Sequence, residues 1–128
     1  MFSLFKKNDY QPIREPLLSE KLDYPIVLDL KGETVKTSTN QITKWLDFKI
    51  TITETKEVTG SGISLFNGQR HDFFIVGKIE GDQIEIIKSF PYLKYHIKYK
   101  GTIINKNNKF HSIQIFSDHS FGILDVIN

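Results

Sequence analysis

The sequence predicts an all-β protein: one antiparallel meander of about eight strands, closing as an up-and-down barrel behind an extended N-terminal arm. Three observations carry that prediction. Between Thr59 and Gly101, short alternating runs of β-branched and aromatic residues are cut by Gly60, Gly62, Gly68, Gly77, Gly81 and Gly101. Alanine, the best helix former, is absent, while isoleucine dominates the apolar residues. Asn67-Gly68 supplies the dipeptide that suits the positive φ angles of a type I′ hairpin. The expected division is an arm over 1–23 and a barrel domain over 24–128.

A chain of 128 residues fits one domain with a core that needs no staples. The absence of cysteine excludes disulfides, cysteine nucleophiles and thiolate zinc sites. A net charge of +2 and a pI near 8.7 come from lysines spread along the chain. That distribution gives no strong nucleic-acid signal, which would show clustering or a much higher pI. No apolar run approaches the roughly 20 residues of a membrane span. No secretory h-region follows Met1, and Asp9, Glu15 and Glu20 disfavour a mitochondrial presequence. The expected location is intracellular, cytoplasmic or organellar, and not secreted.

The arm holds neither period for long. Phe2 and Phe5 share one side of an amphipathic turn, and Pro12 and Pro16 then stop any helix. Phe2, Leu4, Phe5, Tyr10, Ile13, Leu17 and Leu18 are too apolar for a solvating tail, so they are the candidate partner-binding residues. Tyr10 to Ile13 (YQPI) also matches a tyrosine-based sorting pattern, and Leu17-Leu18 a dileucine pattern with Glu15 too close. Docking of an apolar arm is the simpler reading of both.

Within the barrel, Tyr24 to Leu30 is the first strand, with Pro25 at its opening end. Lys31 to Glu33 reads as a turn and Thr34 to Thr39 as a second short strand. Thr39-Asn40 reads as the cap of one helical turn leading to Trp45. From Leu46 to Thr53 the chain alternates strictly, placing Leu46, Phe48, Ile50 and Ile52 on the buried face. Glu57 to Phe66 is its partner, with Gly60 and Gly62 on one face as a bulge, a bend or room for a side chain such as Trp45. Asp72 to Ile79, Gln83 to Lys88, Tyr95 to Lys100, Phe110 to Phe116 and Phe121 to Val126 complete the set. Ser89 to Lys94 and Asn105 to Lys109 are the loops among them.

Trp45, then Gly60-Ser61-Gly62, Asp72 to Gly77, Lys88 and Tyr99-Lys100-Gly101 together form a pattern over roughly Lys44 to Asn128. It resembles the glycine-punctuated, calycin-like β-barrel modules that recur in proteins of single-celled eukaryotes. Those modules carry an acidic residue soon after Gly-x-Gly, where this chain has Ile63 and Ser64. The resemblance implies a fold more than an activity.

No catalytic constellation emerges. His71 and Asp72 are strand neighbours and point to opposite faces. His111 and His119 with Asp118 lack metal-ligand spacing. Gly60-Ser61-Gly62 has neither the Lys-Ser/Thr of a phosphate cradle nor the Gly-x-Ser-x-Gly of a nucleophile elbow. No enzyme, cofactor or metal is expected. Lys94, Lys98 and Lys100 interleave with Tyr92, Tyr95 and Tyr99, a mixture that single-strand binders use. In a strand, however, Tyr95, Ile97 and Tyr99 turn inward and the lysines outward, forming a surface basic row suited to an acidic partner or a membrane surface. The inward set, with Phe73, Ile75, Ile113 and Ile115, is bulky enough to fill a barrel of this size.

The leading expectation is a non-enzymatic barrel that serves as an interaction module, an accessory or structural subunit of a larger protein assembly. A lipocalin-like carrier of a small apolar ligand and a single-stranded nucleic-acid binder are the alternatives.

Overall fold

The computed structural model describes residues 23–128; the arm residues singled out as partner-binding lie outside the described residues. Eight strands follow one another: β1 (Ile26–Lys36), β2 (Ile42–Ile52), β3 (Glu57–Phe66), β4 (Gln69–Glu80), β5 (Gln83–Phe90), β6 (Tyr95–Lys106), β7 (Lys109–Phe116) and β8 (Ser120–Val126). Each pairs antiparallel with its predecessor, and β8 returns to β1 to close the barrel. Closure pairs every strand on both sides, so no ladder is left open. This is the up-and-down barrel that the glycine-cut alternation predicts.

The turns follow their chemistry. Asn67 and Gly68 have φ of 52° and 75°, as the type I′ reading requires. Gly81 stands at 63° between β4 and β5, and Asn107 and Asn108 at 55° and 62° between β6 and β7.

Alternation turns one side chain in two towards the axis. Leu28 and Leu30, Ile50 and Ile52, Ile84 and Ile86, and Ile113 and Ile115 are all buried there. Where strands must coil tightly, the inward position is glycine. A Cβ on Gly77 would overlap the Glu85 carbonyl oxygen and stand 2.9 Å from Ile86 Cα, both backbone atoms that cannot swing aside. Gly77→Ala is therefore expected to destabilise the barrel by about 1–3 kcal/mol, read as a lower denaturant midpoint at unchanged slope.

Three sequence readings are corrected. Lys31 to Glu33 is not a turn: β1 runs unbroken through it, and the register shift opposite Leu30 and Gly32 comes from an extra residue in β2 between Trp45 and Phe48. No helical turn leads to Trp45. A short turn ends at Asn40, whose φ is 60°, and β2 already begins at Ile42. The alternation of β2 is not strict either. Asp47 takes a φ of 50° at a bulge between Leu46 and Lys49, which resets the phase. Trp45 and Phe48 therefore both face the core, while Leu46 is only half-buried.

β6 departs at its start. Tyr95 has inward parity but sits at the barrel rim and is 55% exposed, while Tyr99, one turn of the pleat deeper than Ile97, is buried. Gly62 is overlaid by Phe73, whose Cζ would stand 2.8 Å from an added Cβ.

Candidate functional site: a buried lysine in an aromatic cage

The interior has two unlike halves. Around the middle and towards the β4–β5 turn it is lined by Ile, Leu and Val. A void there, bounded by Leu30, Ile50, Ile75, Ile86 and Ile115 among others, measures about 10 Å³, room for one water at most. A ligand pocket for a drug-sized molecule runs to roughly 300 Å³ or more. As it stands, this half is packed side chains.

Towards the β5–β6 turn the interior becomes aromatic. Trp45 is fully buried, with ring centroids of Phe73, Phe48 and Tyr99 at 5.2, 5.3 and 5.4 Å. The Trp45 indole donates a 3.2 Å hydrogen bond from Nε1 to Thr34 Oγ1. Phe90 carries the cluster to the rim, where it stacks on Tyr95 at 6.0 Å and meets His71 edge-on at 6.4 Å.

Lys88 lies inside this cluster. Ile84, Ile86, Lys88 and Phe90 share the inward parity of β5, and Lys88 is only 1% exposed. Its Nζ stands 3.6 Å from the Trp45 ring centroid, 4.4 Å from that of Phe73 and 5.2 Å from that of Phe90. Three ring faces provide electrostatic attraction for an ammonium. Among the described residues no carboxylate pairs with it; the ion pair of Lys49 with Asp29, at 3.0 Å, lies on the outer wall. Burial alone therefore governs its proton, and pushes the amine from the usual 10.5 down to about 7. Tyr99 moves the opposite way, raised chiefly by burial against hydrogen bonds with Ser120 and Thr34. Ser64 is also buried, and its Oγ has no hydrogen-bond partner among the described residues.

An open groove adjoins the cage. It encloses about 260 Å³ between Arg70, His71, Asp72, Phe90, Tyr92 and Leu93. Phe90, itself buried, thus borders the groove and also stands over the Lys88 amine.

The sequence candidates fall elsewhere. His71 is half-buried and Asp72 exposed, on opposite faces of β4. His111 and His119 are exposed, and no group of three or more metal-ligating side chains assembles among the described residues. Lys98 and Lys100 are exposed on β6, and Lys94 is exposed in the turn before it, with a φ of 50°. Lys88 itself was legible only as an inward parity, two residues beyond Ile86.

The outer wall carries a second feature. Cross-strand register sets Ile42 beside Val35, Val35 beside Phe121 and Phe121 beside Phe116, an apolar row over four strands. Ile42 is 46% exposed, and Phe116 and Phe121 are each 54% exposed. Lys100 flanks the row beside Phe116, and Lys98 lies beside the exposed Ile87 of β5.

Among the described residues no helix is long and apolar enough to cross a membrane. No protein-family model, curated protein or solved structure matches the chain.

Proposed function

We propose that the protein is a non-enzymatic interaction module, an accessory subunit that docks on another protein through its outer wall together with the arm. The observation that carries this reading is the row Ile42, Val35, Phe121 and Phe116, which spends four outward positions on apolar side chains. Solvated strand faces are ordinarily polar, and a contiguous apolar strip is the mark of a contact surface. Lys100 beside Phe116, with Lys98 two residues before it on β6, suits a partner whose apolar surface is edged by carboxylates. The packed aliphatic half supports this reading over carriage of an apolar ligand.

The test is the size of the tagged full chain in native extract of its source cells. Wild type is expected to sediment well above its 14.9 kDa mass, and Phe121→Glu to return towards it with an unchanged melting curve. A wild-type chain that sediments as a monomer overturns the proposal, as does a Phe121→Glu chain that stays in the assembly.

A further inference from the structure

We infer that Lys88 is a covalent docking point for a small aldehyde, which reaches it from the groove between β4 and the β5–β6 turn by displacing the Phe90 ring. The geometry supplies each requirement. The amine ends among the faces of Trp45, Phe73 and Phe90, a setting that favours a flat, apolar carbonyl compound over a polar one. Only one ring separates it from the 260 Å³ groove, because Phe90 both lines that groove and stands 5.2 Å from Nζ. The ring sits at the rim between Tyr95 and His71, with its backbone at the last position of β5, so its rotation disturbs no ladder beyond.

Burial without a carboxylate partner leaves the amine neutral for much of the time near neutral pH, the form that attacks carbonyls. The nitrogen lone pair forms a bond to the carbonyl carbon, and a proton passes from nitrogen to oxygen to give a carbinolamine. Loss of the hydroxyl with the remaining N–H proton releases water and leaves an imine. No oxidant or reductant enters, and water reverses the sequence. The titratable groups against the aromatic cluster are His71 on β4 and Tyr95 and Tyr99 on β6, with Arg70, Asp72 and Tyr92 beyond them at the groove and Asp118 and His119 in the β7–β8 turn at the same end.

Benzaldehyde with cyanoborohydride, applied to the folded full chain and followed by peptide mapping, tests the inference. At about pH 7, Lys88 is expected to be benzylated roughly tenfold faster than the average of the other lysines. Its rate should level off above about pH 8, while theirs climbs about tenfold per pH unit. Phe90→Ala should accelerate Lys88 several-fold, and Lys88→Met should remove the fast phase. Lys88 left unmodified after the surface lysines have reacted overturns the inference, as does a Lys88 rate with the same pH slope as theirs. An unchanged Lys88 rate in Phe90→Ala overturns the route through the groove.

Discussion

Wild-type stability is expected to rise by about 3 kcal/mol between pH 7 and 9.5, and Lys88→Met to abolish that rise. The folded protein holds the Lys88 amine at about 7, whereas the unfolded chain releases it to 10.5. Below the lower value both states carry the proton, and the cost of burying the charge is fully present. Between the two values the unfolded state binds more protons, so stability climbs with pH, by up to about 1.4 kcal/mol per unit. Above 10 the raised Tyr99 pulls in the other direction, because the folded state then holds the extra proton. The window for measurement therefore ends near pH 9.5. At pH 7 the methionine variant should exceed wild type by about 1–3 kcal/mol, the released desolvation cost less the lost attraction to three rings. Denaturant midpoints for both proteins across the window give the answer. The single tryptophan offers a second readout, since its ring lies 3.6 Å from the amine and its emission should titrate near pH 7 in wild type only. Flat wild-type stability would mean that the ammonium is solvated.

Trp45→Ala is expected to cost about 3–5 kcal/mol, the range for deleting a large buried aromatic side chain. The indole is wholly buried and touches Phe48, Phe73 and Tyr99, so its removal leaves a cavity bounded by rings that cannot all collapse. It also leaves Thr34 without the indole donor and Lys88 without its nearest ring face. Trp45→Phe keeps much of the packing and loses the hydrogen bond, so it should fall well short of that loss. Equal losses for the two substitutions would place the importance of Trp45 in its N–H rather than its volume.

The barrel was legible wherever turn chemistry and alternation agreed. β3, the Asn67-Gly68 hairpin and the inward isoleucines of β5 and β7 follow from the sequence because period and punctuation point the same way. The misreadings have two causes. In β2 a single bulge at Asp47 adds a residue and shifts the register against both neighbours, so a run that alternates in sequence does not alternate in space, while Lys31-Gly32-Glu33 has turn composition inside an unbroken β1. A non-glycine residue with φ of 50° inside a strand leaves no mark in composition. The buried site was hidden differently. Lysine in a run such as Lys88-Ser89-Phe90-Pro91 reads as solvated, because an unpaired lysine is almost never buried. Parity alone pointed inward, and only the packed rings of Trp45, Phe73 and Phe90 make that position tolerable for an amine. The apolar outer row was invisible for a related reason. Ile42 with Val35 and Phe121 with Phe116 are hairpin neighbours, and the two pairs join into one row only when β8 meets β1.

That meeting has a kinetic side. Seven of the eight ladders join strands that follow one another through short turns, and each can form while the rest of the chain is unstructured. The β1–β8 ladder alone brings together residues from opposite ends of the barrel domain, from Leu30 with Val126 to Lys36 with Ser120. It closes the longest loop of the fold, at a cost that grows only with the logarithm of the span. It is the most non-local pairing of the barrel, and the apolar outer row becomes continuous when it forms. A chain caught before that step exposes the unpaired edges of β1 and β8. The continuous apolar row and the covering of those two edges thus arrive together.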